Sequence, residues 1–251
     1  MRLKDRVAIV TGAARGLGQA FCLALAYEGA NVVAADILPC AETVAKVQDA
    51  GGEILEVTTD VSSQSSTQAL AAQALERFGQ IDILVNNAAI LVKPTPFDQI
   101  SETDWDRVMA VNIKGMWLCC KAVIPIMQQQ GKGKIINLSS DTIWLGVPMI
   151  LHYVTSKGAV FAFTRALARE LSGTEITVNT ITPGFTLTEG TQGMTEPETI
   201  AQIQAAILDQ QIVKRSEVPA DLTGTVLFLA SDDSDFITGQ TINVNGGATH
   251  H

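Results

Sequence analysis

Basic residues are scarce in this chain: 17 lysines and arginines stand against 26 aspartates and glutamates, giving a formal net charge of −9 over 251 residues. Nucleic-acid binding depends on a basic surface that neutralises phosphates. The charge balance therefore argues against a nucleic-acid partner and favours small-molecule substrates.

Cysteines are few and scattered. The four have neither paired C-x-x-C spacing nor nearby histidines: Cys22, Cys40, Cys119 and Cys120. Zinc sites and disulfide frameworks require such spacings. We therefore predict no metal ligands and four ordinary buried thiols.

Long hydrophobic runs are missing as well. A membrane-crossing helix would need about 18 consecutive apolar residues, and no such uninterrupted run occurs. Residues 1–5 lead into a strand-like stretch without a signal-peptide cleavage site. We expect a cytoplasmic protein with no membrane partner.

The chain does contain short β-branched runs that alternate with longer stretches of helical period. This alternation predicts parallel strands joined by crossover helices. The predicted strands are 7–11, 31–36, 54–58, 81–86, 134–139, 176–181 and 241–244. The predicted helices are 16–28, 41–50, 66–78, 102–129, 153–171 and 219–230.

These elements predict an α/β fold: a single Rossmann-like, doubly wound domain over residues 1–251, with helices on both faces of a seven-stranded parallel sheet. Neither a polar linker nor an internal repeat divides the chain. The residues from about 184 to 217 are rich in Thr, Gly and Glu, with one apolar helical patch at 200–208. Such a long irregular segment predicts a lid over a substrate site.

A glycine-rich turn, Thr11-Gly12-Ala13-Ala14-Arg15-Gly16-Leu17-Gly18, lies where the first strand meets the first helix. Glycines let the backbone approach a pyrophosphate, whose charge is met by free N–H groups at the helix start. Asp36 closes the second strand, where a carboxylate can accept hydrogen bonds from ribose hydroxyls. The turn alone fits a plain strand-to-helix connection and Asp36 alone fits a helix cap, but together they favour a dinucleotide.

Tyr153 and Lys157 are four residues apart, so on a helix they would share one face. A tyrosine with a pKa of roughly 10 is a poor base at neutral pH, and a nearby ammonium would lower that pKa. Ser140, at the end of the fifth strand, could donate a hydrogen bond to a substrate oxygen as charge develops. Ser139 is the competing serine, and an amphipathic helix alone would also explain the tyrosine and lysine.

The T-G-x-x-x-G-x-G turn, followed by these residues, resembles the short-chain dehydrogenase/reductase family, and the resemblance spans the whole chain. Asp60-Val61 matches the family's adenine-contacting pair, and Asn86-Asn87-Ala88-Ala89 its N-N-A-G turn, with Ala89 replacing the glycine. Pro183-Gly184 with Thr188 matches the segment at the nicotinamide end. The predicted cofactor-binding residues are Gly12, Arg15, Gly16, Leu17, Gly18, Asp36, Asp60, Val61, Asn87, Ala88, Tyr153, Lys157, Pro183, Gly184 and Thr188.

The same resemblance implies four catalytic residues, Asn112, Ser140, Tyr153 and Lys157. It implies that Asn112 holds a water that links Lys157 to solvent, and that Ser140 rather than Ser139 is the catalytic serine. The family usually forms homotetramers, which we expect here too.

Two residues indicate different cofactors. Asp36 would repel the 2′-phosphate of NADP, whereas Arg15 could pair with it. An exposed arginine contributes only about 1 kcal/mol, so we give Asp36 more weight and predict NAD.

Apolar residues flank the predicted catalytic group, which suits a hydrophobic or aryl ketone or secondary alcohol. The predicted substrate residues are Ser140, Thr142, Trp144, Met149, Tyr153 and Phe185, with Leu91 and Val92 opposite and Met194 from the lid. Trp144 and Phe185 fit a plain core role equally well. The segment 227–239 also resembles the bacterial branch of NAD-dependent secondary-alcohol dehydrogenases that includes (S)-1-phenylethanol dehydrogenases.

Two other functions stay open. A 3-oxoacyl-thioester reductase would share every catalytic residue but would use NADPH and present a basic face to its carrier protein. A dinucleotide-sensing regulator or scaffold would be expected to lack Ser140, Tyr153 or Lys157, and none is missing.

Overall fold

A seven-stranded parallel sheet lies at the centre of the computed structural model, which describes residues 1–250. Its strands are β1 (Val7–Thr11), β2 (Asn31–Asp36), β3 (Ile54–Thr58), β4 (Ile83–Asn86), β5 (Lys132–Leu138), β6 (Glu175–Pro183) and β7 (Thr241–Val244). Their spatial order is β3-β2-β1-β4-β5-β6-β7, so the winding reverses between β1 and β4. Ligands of open α/β sheets bind at the carboxyl ends of the strands beside such a reversal.

Helices cover both faces of this sheet, which confirms the predicted doubly wound fold. They are α1 (Gly16–Tyr27), α2 (Ala41–Asp49), α3 (Gln64–Phe78), α4 (Glu102–Met109), α5 (Met116–Gln130), α6 (Thr142–Leu145), α7 (Leu151–Glu170), α8 (Glu189–Gln192), α9 (Pro197–Gln210) and α10 (Ala220–Ala230). A core on one face contains residues of α1 and α10, and a second core on the other contains residues of α3, α5 and α7.

The strands form because their β-branched runs are buried on both faces. All five residues of β1 and all four of β4 are buried. Strands covered by helices on both sides show continuous apolar sequence rather than alternation. This burial fixes the parallel register, in which Ala8 pairs with both Val32 and Ile83.

The predicted helix 102–129 is present as α4 and α5, which follow each other without a break in helical structure. The turn between them, Ala110–Gly115, is π-helical rather than α-helical. Within this turn, the Asn112 side chain accepts a hydrogen bond from Ile90 N at 2.8 Å and donates to Ser156 Oγ at 3.0 Å. Such turns are rare and often occur at functional sites. Hydrophobic period cannot distinguish this turn from ordinary helix.

By length and composition alone, Glu102–Gln130 could cross a membrane. Its α5 part, however, buries Cys119, Cys120, Val123 and Met127 in the core against the sheet. We therefore assign it as a core helix. The four cysteines of the chain are free and buried, as predicted.

Candidate active site

The carboxyl ends of β1, β4, β5 and β6 open into a crevice of about 620 Å³. Its walls contain most of the predicted cofactor-binding residues together with Ser140, Tyr153 and Lys157. The members of the predicted cofactor set that line it are Gly12, Arg15, Gly16, Leu17, Asp36, Asp60, Val61, Asn87, Ala88, Tyr153, Lys157, Pro183, Gly184 and Thr188.

The glycine-rich turn forms the floor of this crevice. Gly12 has a φ of +67°, and a Cβ there would lie 2.9 Å from Ala88 Cα. A Cβ on Gly18 would lie 2.0 Å from Gly12 O. Helix α1 begins here without a side-chain cap, so its first N–H groups are not claimed by a capping side chain. The turn therefore fits a pyrophosphate, which needs close backbone approach and N–H donors.

Asn87 ties the end of β4 to this turn. Its Nδ2 donates to Thr11 O at 2.9 Å and to Gly12 O at 3.1 Å. Thr11 Oγ1 in turn accepts from Asn87 N and Ala88 N, both at 3.1 Å. Asn87 thus holds the backbone of the glycine-rich turn in place and also lines the crevice.

Asp36 lies at the adenosine end. Its Oδ2 accepts from Ala14 N and its Oδ1 from Leu38 N, both at 2.9 Å, so the carboxylate also closes the two turns beside it. The capping and ribose interpretations are therefore compatible at this residue. Arg15 is exposed at the rim, and Asp60 and Val61 line the same end.

Ser140, Tyr153 and Lys157 meet at the other end of the crevice. Ser140 follows β5, and the other two face it from the first two turns of α7, which begins two residues earlier than predicted. The Ser140 hydroxyl lies close enough to that of Tyr153 to lower the tyrosine pKa. Lys157 Nζ lies 5.7 Å from the centroid of the Tyr153 ring and donates to Leu138 O at 2.8 Å.

The protonation of this group differs from the sequence expectation. Burial, with a smaller contribution from Asp141, raises the pKa of Tyr153 to about 12, although the nearby Ser140 hydroxyl opposes the rise. Burial lowers the pKa of Lys157 to about 8. Desolvation therefore dominates the pKa of Tyr153. That Lys157 lowers this pKa during the reaction stays a prediction.

The two neighbouring serines have different partners. Ser139 Oγ donates to Lys157 O at 2.7 Å, so it ties the end of β5 to α7. Ser140 Oγ accepts from Thr142 Oγ1 at 3.0 Å and faces the crevice. Asn112, whose side chain joins Ile90 to Ser156, contacts the catalytic helix from behind. Its predicted water link stays a prediction.

Several predicted substrate residues lie elsewhere. The Trp144 ring packs edge-on against Phe161 at 5.5 Å, and its Nε1 donates to Asn243 Oδ1 at 3.2 Å. Met149 is 44% exposed, and Thr142 contacts Ser140 rather than the cavity. These three, with Phe185, are not among the residues that line the crevice, and their assignment as substrate contacts stays a prediction. The short helix α6, which periodicity could not predict, sets where Thr142 and Trp144 point.

Other residues form the wall beside the catalytic group: Ile90, Leu91, Val92, Thr186, Thr191 and Met194. Leu91, Val92 and Met194 were predicted from the sequence, whereas Ile90, Thr186 and Thr191 were not. Two buried carboxylates nearby, Asp141 and Glu217, were not predicted either. A glutamate within a polar segment carries no local signal of burial. Within residues 1–250, no group of three or more His, Cys, Asp or Glu side chains could hold a metal ion.

Comparison with known proteins agrees with this geometry. Residues 12–249 match the family described as enoyl-(acyl carrier protein) reductase. The chain is 39% identical over 246 residues to a 2-dehydro-3-deoxy-D-gluconate 5-dehydrogenase from Escherichia coli, covering 98% of this chain and 96% of that one. It is 37% identical to a 3-oxoacyl-[acyl-carrier-protein] reductase from Staphylococcus epidermidis, covering 97% and 98%.

Solved structures show the same fold. Levodione reductase superposes with a TM-score of 0.94 at 30% identity over 98% of both chains. A short-chain dehydrogenase from Mycobacterium paratuberculosis bound to NAD gives 0.92 at 30% identity over 100% of both. A putative NAD(P)-dependent gluconate 5-dehydrogenase from Beutenbergia cavernae with bound NADP gives 0.90 at 32% identity, covering 98% of this chain and 97% of that one.

The names of the relatives thus state different substrates. The solved structures also differ, since one holds NAD and another holds NADP. What they share with this chain is the full length of the fold. The glycine-rich floor, the serine, tyrosine and lysine at one crevice, and these matches together show that the chain belongs to the short-chain dehydrogenase/reductase family of oxidoreductases.

Proposed function

We propose that this protein is an NAD-dependent alcohol dehydrogenase or ketone reductase that acts on a hydrophobic, including aryl, secondary alcohol or ketone. The observation that carries the proposal is the meeting of Ser140, Tyr153 and Lys157 at the mouth of a crevice floored by the glycine-rich turn. Bound there, the dinucleotide supplies the hydride acceptor or donor. The protein supplies position and proton transfer.

The proton chemistry follows from the three side chains. With a pKa of about 12, Tyr153 holds its proton at neutral pH and can donate it to a carbonyl oxygen during reduction. Ser140, oriented by the hydroxyl of Thr142, donates a second hydrogen bond to the same oxygen as negative charge develops. In the oxidative direction Tyr153 accepts the alcohol proton, and the ammonium of Lys157 favours the phenolate this requires.

The cofactor would lie along the crevice with its pyrophosphate on Gly12 and the start of α1. Asp60 and Val61 would contact the adenine, and Pro183, Gly184 and Thr188 the nicotinamide end. The carboxylate of Asp36 supports NAD over NADP, since a 2′-phosphate would bring a second negative charge next to it. Arg15, exposed at the rim, is the weaker influence.

Apolar side chains at the catalytic end support a hydrophobic substrate. Ile90, Leu91, Val92 and Met194 line the wall beside Tyr153. We propose that residues 184–217 form a lid over this end. A Cβ on Gly190 would lie 3.3 Å from Leu91 Cδ1, and one on Gly16 would lie 3.4 Å from Thr188 Cβ, so this segment already lies across the crevice. A 3-oxoacyl-thioester substrate is the alternative, which the net charge of −9 disfavours because the acidic carrier protein would be repelled.

Assembly and location complete the proposal: a cytoplasmic homotetramer. Trp105 on α4 and Trp117 on α5 are 36% and 45% exposed, and exposed large apolar side chains of this kind support burial against another subunit. Sedimentation of the purified protein measures the subunit number directly.

The test of the activity is NADH and NADPH oxidation against a panel of aryl ketones, 3-oxoacyl thioesters and keto sugar acids. We expect turnover of aryl ketones with NADH, and loss of about 100-fold or more in Tyr153→Phe, which keeps the ring but removes the acid. Tyr27→Phe is the matched control, since Tyr27 is the other tyrosine in the chain and is 66% exposed. Turnover that survives Tyr153→Phe would refute the assignment.

A further inference from the structure

Glu217 is a buried carboxylate at the far end of the lid segment, residues 184–217, and is 5% exposed. It accepts hydrogen bonds from the start of the same segment. Thr186 Oγ1 donates to its Oε1, and Gly184 N donates to its Oε2 at 3.2 Å. Its backbone oxygen accepts from Leu187 N at 2.9 Å. One residue therefore joins the two ends of a segment more than thirty residues long.

The residues that Glu217 holds are those next to the catalytic end of the crevice. Gly184, Thr186 and Thr188 line it directly. The helices between the two ends, α8 and α9, are joined to the domain through this closure and through the approaches to Gly16 and Leu91. After α9, Ile212 N and Val213 N also donate to Gly246 O, both at 2.9 Å. Irregular backbone is mobile where few contacts hold it, so the contacts of the carboxylate help to fix where Gly184 and Thr186 stand in the crevice wall.

We propose that Glu217 is a positioning residue that fastens the end of the lid segment to its beginning and so sets the wall against which the nicotinamide end of the cofactor rests. Only the last clause of this inference depends on the proposed function. The fastening itself is a property of the chain without any ligand.

The charges around Glu217 determine its response to pH. Two carboxylates add negative charge near Glu217: Asp141, which follows β5 and is 5% exposed, and Asp221 on α10. The nearby Arg215 guanidinium donates to Asp221 at 2.7 Å. Burial, followed by these carboxylates, raises the pKa of Glu217 to about 7. A group whose pKa is higher in the fastened state than when released favours fastening at low pH, and this preference is lost as pH rises through about 7.

Trypsin offers a measurement that needs no turnover. Lys214 and Arg215 are exposed and lie just before Glu217, so cleavage after them reports release of the lid end. We compare Glu217→Ala, Glu217→Gln and the matched control Glu198→Gln, which removes the same charge from an exposed position on α9. Affinity for NADH is measured in parallel by fluorescence.

Glu217→Ala should be cleaved about tenfold faster than wild type and should bind NADH about tenfold more weakly, the effect of losing one or two net hydrogen bonds. Glu217→Gln keeps an acceptor oxygen, so its cleavage should stay slow. Between about pH 6 and pH 8, the cleavage rates of wild type and Glu198→Gln should rise as Glu217 ionises, whereas the Glu217→Gln cleavage rate should not show this rise.

Equal cleavage and NADH affinity in Glu217→Ala and Glu198→Gln would overturn the proposal. If Glu217→Ala does not fold, the proposal would be overturned by cleavage rates of wild type and Glu217→Gln that change with pH in the same way. If wild type fails to bind NADH but cleavage still depends on Glu217, then the proposed function fails and the fastening stands.

Discussion

Ser139 and Ser140 illustrate how neighbouring residues of one type divide their work. The Ser139 hydroxyl donates a hydrogen bond to a backbone oxygen of α7, while the Ser140 hydroxyl faces the crevice beside Tyr153. Alternation along an extended strand end turns adjacent side chains to opposite sides. The strand geometry therefore separates the serine that ties β5 to α7 from the serine that we propose to be catalytic.

Replacing each serine tests this division. Ser140→Ala should lower kcat by about 100-fold or more, because a donor to the developing charge is lost. Ser139→Ala should instead lower the free energy of unfolding by about 1 kcal/mol and leave kcat within a few-fold. Stopped-flow kinetics and urea denaturation of the two variants distinguish these effects, and a larger kinetic loss in Ser139→Ala would reverse the assignment.

Asp36 carries the prediction on cofactor choice. Asp36→Asn removes the charge but keeps an oxygen that can accept from Ala14 N or Leu38 N. We expect the ratio of kcat/KM for NADP to that for NAD to rise about tenfold or more, because the repulsion of the 2′-phosphate is removed. An unchanged ratio in steady-state assays would show that Asp36 only closes the turns around it.

Among elements, the long strands and helices were predictable because buried β-branched runs and helical period are properties of local sequence. The π-helical turn Ala110–Gly115 and the four-residue α6 were not, since each is shorter than a period can reveal. The meeting of Ser140, Tyr153 and Lys157 could be predicted because the three residues lie on or beside predicted elements. The wall of the crevice could not, because α6 and residues 184–217 determine which side chains face it. Trp144, whose ring packs against Phe161, is an example.

The π-helical turn gives a prediction at this scale. Asn112→Ala removes hydrogen bonds to Ile90 N, Ile90 O and Ser156 Oγ, which join the end of β4 to α7 through the turn. The free energy of unfolding should fall by about 1–3 kcal/mol, since buried backbone groups lose their partners. Urea denaturation measures this, and a variant with wild-type stability would show that Asn112 does not hold these elements together.

For the whole molecule, the buried carboxyls predict how stability depends on pH. Burial raises the pKa of Asp141 to about 6 and of Glu217 to about 7. The folded state therefore holds these protons more tightly than the unfolded state, and the stabilisation is complete below the ordinary carboxyl pKa values and lost as pH rises through about 7.

Calorimetry should therefore find a Tm that falls between about pH 5 and pH 8. In a double variant, Asp141→Asn with Glu217→Gln, the decline should be much smaller, because neither side chain can then ionise. A wild-type Tm that rises across this range would contradict the assignment of both buried acids.

The pairing of Lys157 with β5 has a consequence for how such enzymes diversify. Its ammonium donates to Leu138 O at 2.8 Å and its own carbonyl accepts from Ser139 at 2.7 Å, so strand and helix are held together on either side of the proposed acid–base group. Mutations in the loops around the crevice can then reshape what enters it while the proton-transfer apparatus stays in place. Substrate range and reaction chemistry are thus free to evolve separately.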